Sequence, residues 1–480
     1  MKTRFPFSVF HFPFLFLLAF SISANAAPQL RAGAAASNIS PWMGIAINGN
    51  MHNHFGTNLH DQLHARAIAI DDGTNRIAIV VADSCLIYRE IFDAAKKIVH
   101  EKTGLSPQHI LMSATHTHSA PASVSIFQTD ADKEYQLFLT RRLADAAIQA
   151  INNLQPAMIG WSVEKDPRHV SNRRWHMKPG VINKDMFGGT NDQVRMNPRP
   201  GNPDILSPAG PTDPDVSVLA IKTADDRPLA LLANYSMHYC GDVGGNGIYS
   251  ADYFGAFCRR VEHRLDPEGT NSFVAILSNG TSGDCNSTDF LHEPKPAPAY
   301  SIINTVADDI AEDALKCFSR ADYHDALPLK IANKEITLGV RHGTPAEVQA
   351  AKAKLEKAPR HNGYLNPWSP DVYARETVLL DSFPKEVNIP LQAIRIGDLG
   401  IIAIPCEVFA EIGLEMKAKS PFKPTFTIEL ANAYHGYLPT PAQHKLGGYE
   451  TWRARSSYLE VGASPKIVTA VMDLLNEVRQ

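Results

Sequence analysis

The run Arg76-Ile77-Ala78-Ile79-Val80-Val81-Ala82-Asp83 is apolar at nearly every position and rich in β-branched residues, which predicts a strand buried on both faces. Ile87, Ile91, Ala94, Ala95, Ile98 and Val99 then recur on one helical face until Gly104, and a second apolar run extends from His109 to Ala114. Strand, helix and strand in this order predict parallel pairing. The same grammar returns four times, each an apolar run stopping at polar or glycine residues. Leu229 to Ala233 leads into Asn234-Tyr235-Ser236-Met237-His238, and Phe273 to Leu277 into Ser278-Asn279-Gly280-Thr281-Ser282-Gly283-Asp284-Cys285-Asn286. Leu399 to Ile404 leads into Pro405-Cys406-Glu407 and a helix through Met416, and Phe426 to Leu430 into Asn432-Ala433-Tyr434-His435-Gly436-Tyr437. In sheets of this kind ligands bind beyond the carboxyl ends of the strands, so five such loops can converge on one site.

Further helices are predicted at Leu137 to Ile151, Thr305 to Phe318, Pro345 to Lys357 and Pro465 to Val478. Asp166 to Pro214 is rich in Pro, Gly, Asn and Arg and too long for an ordinary connection, so it is expected to be a functional loop or lid. Arg360 to Ser369 is a second excursion, with Tyr364 and Trp368 as candidate cover residues. The expected fold class is α/β, with mixed sheets flanked by helices.

The amino end is of a different kind. Lys2 and Arg4 precede a Phe/Leu-rich stretch, and Ala24-Asn25-Ala26 fits a small-residue cleavage site. Residues 1–26 therefore read as a secretory signal, and 27–480 as one catalytic domain exported to a periplasm or the medium. No later apolar run is long enough to span a membrane. The formal charge of −4, or −6 without Lys2 and Arg4, speaks against a nucleic-acid partner. The six cysteines lack CxxC spacing, which makes a cysteine zinc site improbable, and export would permit disulfides. Asn234, Asn279 and Asn286 each head a glycosylation acceptor triplet, yet glycans there would block the converging loops.

His116 and His118 lie two apart after a predicted strand, so in an extended segment both rings face one volume. Neutral imidazole is the commonest metal ligand, while a bare HxH also suits a polar strand end. Taken singly, His238 fits a core histidine, Glu407 a first-turn helix acid, Tyr437 a core aromatic, and Arg173 and Arg174 solvated loop charges.

The ordered set ATHTHSAP, NYSMHYCG, NGTSGDCN, IPCEVF and NAYHGY, followed by Gly448-Tyr449-Glu450, resembles the neutral ceramidase family of secreted zinc amidohydrolases, as does the early segment Leu59 to Ala67. The resemblance implies that family's amino-terminal domain fold, with the active site in loops at the strand ends. It implies one zinc ion per chain on His116, His238, Glu407 and Tyr437, with His118 facing the bound water or substrate. Tyr449 would hydrogen-bond the reacting carbonyl or its oxyanion, and Arg173 would stand beside the site. Asp284 would act as a base or orient a ligand imidazole.

Three departures bear on function. The family's serine two residues after Gly-Asp is here Asn286, whose amide can donate to an oxyanion but cannot be a nucleophile. The chain ends near a helix at Gln480, so the family's carboxyl-terminal immunoglobulin-like domain would be missing. His52, His54, His60 and His64 crowd the early loop. Zinc-activated attack on an acyl carbon needs no serine. The resemblance thus implies hydrolysis of an N-acyl amide, either ceramide or a smaller N-acyl substrate. Alternatives are a zinc esterase or lactonase on the same scaffold, or an inactive exported binding protein. A metallo-β-lactamase site is disfavoured because HTH is followed by Ser-Ala.

Overall fold

Twelve strands and eight helices carry the architecture, in a computed structural model that describes residues 1–6, 29–182, 184–241, 243, 247–269 and 272–480. Most of the expected signal, residues 7–26, lies outside the described residues. The first strands are β1 (Arg31–Asn38), β2 (His64–Asp71), β3 (Arg76–Ala82) and β4 (Ile110–Ala114), with α1 (Arg89–Thr103) between the last two. The predicted strand-helix-strand unit is present and its pairing is parallel, Ala78 opposite Ile110. Gly104 ends α1 at φ 73°, the left-handed conformation a helix C-terminus favours, and its N–H closes on the His100 carbonyl.

α2 (Lys133–Asn152) leads into β5 (Gln155–Lys165), β6 (Asp215–Thr223) and β7 (Pro228–Tyr235). α3 (Asp252–Leu265), β8 (Val274–Asn279) and α4 (Ser301–Arg320) follow. These strands form one sheet in the order β8-β7-β6-β5-β1-β2-β3-β4, with β7–β8 and β3–β4 parallel and the rest antiparallel. The sheet is therefore mixed, as the class expected. Its two halves join between β1 and β5 through only two residue pairs, Arg31 with Pro156 and Ala32 with Gln155. So short a seam lets the halves fold over one another, and Ile68, Ile79 and Leu111 of one meet Leu219, Leu232 and Ile276 of the other in one buried cluster.

The carboxyl half adds β9 (Leu329–Gly339), α5 (Pro345–Lys357), α6 (Pro370–Leu380), β10 (Glu386–Ile396), β11 (Leu399–Ala403), α7 (Ala410–Lys419), β12 (Thr425–Ile428) and α8 (Ala463–Arg479). Its sheet runs β9-β10-β11-β12, again ending in a parallel pair, and Ile394, Ile401 and Phe426 enter the same cluster. α1 and α2 cover one half of the large sheet and α3 and α4 the other, while α7 and α8 cover the small sheet.

Beyond Ile428 the chain stitches the large sheet's two edges together. Glu429 N–H donates to the Asn279 carbonyl at the end of β8 (3.2 Å), and Ala114 N–H at the end of β4 donates to the Leu430 carbonyl (3.3 Å). The ends of β4, β8, β11 and β12 thus lie side by side.

The stretch 166–214 is not bare loop. It holds a three-stranded sheet of Ile205–Pro208, Arg174–Met177 and Val194–Met196, because Trp175, Met177 and Phe290 bury against each other beneath it. No disulfide joins the six cysteines. Asn234 and Asn279 are buried, so neither can carry a glycan in the folded chain. Among the described residues no helix is long and apolar enough to cross a membrane.

Ile79 is fully buried in β3, where both halves of the large sheet and the small sheet meet. Ile79→Ala should lower the unfolding free energy by about 2–5 kcal/mol, read from urea titration followed by circular dichroism. A loss below half a kcal/mol would show that this cluster is not a packed core.

Candidate active site

His116 follows β4 at φ 74°, a left-handed backbone that few non-glycine residues adopt. The strain is held by N–H groups on either side of the turn: Thr115 donates to the Ala82 carbonyl and His116 to that of Ser84, both at 2.9 Å. The ring's Nδ1 lies 3.0 Å from the Cys85 carbonyl. His238 follows β7, with its Nδ1 3.2 Å from the Ser282 carbonyl. Glu407 follows β11 and pairs with Tyr437 in a short parallel bridge, its N–H donating to the Gly436 carbonyl at 3.0 Å.

Three buried groups then converge. His116 Nε2 is 2.9 Å from His238 Nε2 and 3.3 Å from Glu407 Oε2, which is 3.9 Å from His238 Nε2. Because each Nδ1 faces a carbonyl and so carries the proton, the two Nε2 atoms present lone pairs to each other. Glu407 Oε2 is buried without a hydrogen-bond donor. Facing lone pairs beside a carboxylate repel unless a cation lies between them. Two imidazoles and one carboxylate are a common donor set for catalytic zinc, so the residues fit a divalent metal.

Burial, reinforced by Arg173 and the neighbouring imidazoles, holds His238 well below the ordinary imidazole pKa, in the neutral form a metal needs. Burial also lowers His116, but Cys85 and Glu407 outweigh it and raise the ring well above its usual value. A proton and a metal ion compete for that Nε2.

Around these three the aromatic residues form a wall. His118 stacks on Tyr239 (centroids 3.7 Å apart), and its Nε2 lies 3.1 Å from His116 Nε2. Gly49 backs the ring so closely that a Cβ there would lie 2.4 Å from His118 Cγ. Tyr437 oxygen accepts from Arg173 Nη2 at 3.0 Å, and Arg173 also donates to the Gly283 carbonyl and to Glu450. Arg174 donates to the other Glu450 oxygen at 2.6 Å, so one fully buried carboxylate anchors both arginines. Neither guanidinium is a solvated loop charge. Burial and Glu407 keep the Tyr437 phenol protonated against the pull of Arg173.

A cavity of about 30 Å³ lies among His116, His118, Glu407, Tyr434, Tyr437 and Tyr449. Tyr449 is also a wall of an open cleft of about 470 Å³, lined by Ile182, Met186, Val194, Met196, Trp368 and Trp452 together with four charged side chains. Both excursions noted in the sequence thus reach the cleft, Trp368 directly against Tyr449 at 5.3 Å between centroids. Tyr364 instead accepts from Asn53 at 2.8 Å.

Two further candidates stand apart from the three converging ligands. Asp284 is fully buried, but its oxygens accept from Ala410 N–H (2.8 Å) and Asn172 Nδ2 (2.7 Å), which fixes the start of α7. Asn286 donates to Asn197 Oδ1 (2.8 Å), a residue of the cleft. Of the early histidines, His60 stacks on Tyr300.

Sequence reasoning missed two supports of the ligand loops. Tyr434 donates to Glu407 Oε1 at 3.0 Å. Glu429 accepts from Ser282 Oγ (2.6 Å), Ser282 N–H (3.3 Å) and Val408 N–H (2.7 Å), joining the loops that carry His238's partner and Glu407. The available signal was an acid inside the apolar run Phe426 to Leu430, where a charge is costly unless it is held.

No family model matches the chain. Neutral ceramidase B of Dictyostelium discoideum is 24% identical over 242 residues, 48% of this chain and 31% of that protein. Neutral ceramidase A of the same organism is 24% identical over 260 residues, 50% of this chain and 33% of that protein. The Pseudomonas aeruginosa neutral ceramidase is 20% identical over 449 residues, 82% of this chain and 64% of the relative. These matches span from 31% to 64% of the curated relatives' own length. Among solved structures, a ceramidase complexed with C2 superposes at a TM-score of 0.72 with 16% identity, covering 94% of this chain and 75% of the other. The Pseudomonas aeruginosa neutral ceramidase structure gives 0.71 and 17%, covering 94% and 74%. The fold is therefore the α/β fold of the neutral ceramidases. In sequence the chain is similar to neutral ceramidases at 20–24% identity.

Glu429→Leu should lower the unfolding free energy by roughly 3 kcal/mol or more, since three buried donors lose their acceptor. Wild-type stability in this variant would mean the loops are held by other contacts. Burial pushes Asp284 up to about 6, against the lowering effects of Ala410 and Asn172. A carboxyl above its unfolded value near 3.9 binds more protons when folded, so its contribution to stability is present at low pH and is lost as pH rises from about 4 to about 6. Asp284→Asn should therefore lack a falling component of up to about 3 kcal/mol that wild type shows across that window. Parallel stability-versus-pH curves for the two proteins would contradict this.

Proposed function

We propose that the protein is an exported, zinc-dependent amidohydrolase that cleaves the N-acyl amide bond of ceramide or of a smaller N-acyl substrate. The observation that carries the reading is the meeting of His116 Nε2, His238 Nε2 and Glu407 Oε2 within 3.9 Å. The ceramidase relatives support the choice of an amide bond. The sequence of the amino end supports export, and 27–480 is read as one catalytic domain.

His116, His238 and Glu407 would hold the zinc, with Tyr437 as the fourth ligand. When bound, zinc supplies a polarising centre for a carbonyl and lowers the pKa of water. His118, neutral and adjacent to His116, has its Nε2 placed to take a proton from the attacking water and return it to the leaving amine. Tyr449 stands where cavity and cleft meet, so its hydroxyl can donate to the oxyanion as the carbonyl carbon becomes tetrahedral. Arg173 fixes the Tyr437 oxygen and is itself fixed by Glu450. Asp284 acts by holding the helix that begins three residues after Glu407. Asn286 acts on the cleft rim through Asn197.

The reaction needs room for an acyl chain or an amine body outside the small cavity, and the cleft beyond Tyr449 provides it. Purified wild-type protein should contain about one zinc per chain and hydrolyse N-acylsphingosine or a short N-acyl amide faster than the matched ester. His116→Ala and His238→Ala should each lose the metal and more than about a hundredfold in kcat/KM while remaining folded. Metal-free wild type after incubation with zinc, or near-normal turnover in either variant, would remove the assignment.

A further inference from the structure

One buried ammonium takes no part in the proposed chemistry. Lys96, on α1, is 7% exposed, and its Nζ donates to Asn432 Oδ1 at 2.7 Å. That oxygen also accepts from Met112 N–H at 3.1 Å, so both of its lone pairs are used. Asn432 is itself held at φ 66°, with its amide directed to Gln392 Oε1 at 3.4 Å. Lys96 is therefore fixed by a single neutral acceptor.

Burial lowers the Lys96 amine to about 8, with Asp93 acting upward and Arg89 downward, so it remains mostly charged at neutral pH. Buried charges are ordinarily paired. Among the described residues no carboxylate forms an ion pair with this one. The acids nearest in the fold are committed elsewhere: Asp93 pairs with Arg89 Nε at 3.1 Å, and Glu335 pairs with the same guanidinium. Lys334 is paired with Asp473 at 3.2 Å.

Lys96 lines a cleft of about 350 Å³ between α1, the turn at Pro107 and strands β9 and β10. Pro107, Pro390 and Leu391 give it apolar walls, and Arg89, Asp93, Lys334 and Glu335 also line it. A buried cation with no carboxylate in ion-pair contact, beside apolar walls, suits an anion that carries a small hydrocarbon body. We propose that this cleft is a second ligand site, which binds a small carboxylate through the Lys96 ammonium.

The test is calorimetric titration of the purified full-length protein with butyrate and, separately, inorganic phosphate at neutral pH. Thermal unfolding is measured alongside. Butyrate should bind, raise Tm in a saturable manner and outcompete phosphate. Lys96→Met keeps the length of the side chain without its charge and should lose affinity roughly thirtyfold or more. Lys96→Gln provides a polar control should the methionine variant fold poorly, and it should show the same loss. Absence of butyrate binding to wild type, tighter binding of phosphate than of butyrate, or equal butyrate affinity in a folded variant would each overturn the proposal. None of these outcomes depends on whether the zinc site hydrolyses an amide.

Discussion

The buried carboxyl of Glu429 is the contact on which the geometry of the site depends. The acid follows the last residue of β12, and its two oxygens receive a hydroxyl and two backbone N–H groups from the loops beyond β8 and β11. Its own N–H binds the end of β8. One side chain thereby fixes the spacing between the loop that orients His238 and the residue next to Glu407. Burial pushes this carboxyl up to about 8, with Ser282 and His116 drawing it down, so the tie is costly to assemble and has no cheap substitute.

That tie works because the sheets deliver strand ends to the same place. The large sheet carries His116 beyond one edge strand and His238 beyond the strand next to the opposite edge. In a flat sheet these positions would be tens of ångströms apart, since strands lie nearly 5 Å from their neighbours. The two-pair seam between β1 and β5 allows the halves to close on each other, and the parallel pairs aim their carboxyl ends in one direction. The chain after β12 then fills the gap between the edges. The converging side chains, sheet curvature and stitching segment form one mechanical unit.

Much of this was legible in the sequence because the chemistry needs rare residue types at strand ends. His116, His238, Glu407 and Tyr437 follow apolar runs, but singly each also suits an ordinary structural place, and only the ordered set of motifs made them candidates; the strand-helix-strand order was sufficient for parallel pairing. Supporting residues were less visible. Tyr434 looks like a core aromatic until its hydroxyl is seen to hold Glu407, and Asp284 has the residue type of a base but the contacts of a helix anchor. α3 escaped notice because its N-cap position is Ala251, which has no side-chain acceptor to mark a helix start. The lid expected at 166–214 is partly a small sheet, since its strands of three or four residues are too short to show an alternating pattern.

The division between cavity and cleft also divides chemistry from selection. A space of about 30 Å³ beside the imidazoles admits little more than a water, so under the proposed function the body of a substrate lies beyond Tyr449. Much of the wall there comes from Ile182, Met186, Val194 and Met196 and from Trp368, on excursions that hang outside the main sheets. Substitutions in them can reshape the cleft without disturbing the meeting of His116, His238 and Glu407, which is set by Glu429 and the strand ends. Asn286 lines neither space, and its amide is spent on Asn197 in the cleft wall. The converging side chains at the strand ends and the walls of the cleft are thus set by separate parts of the chain.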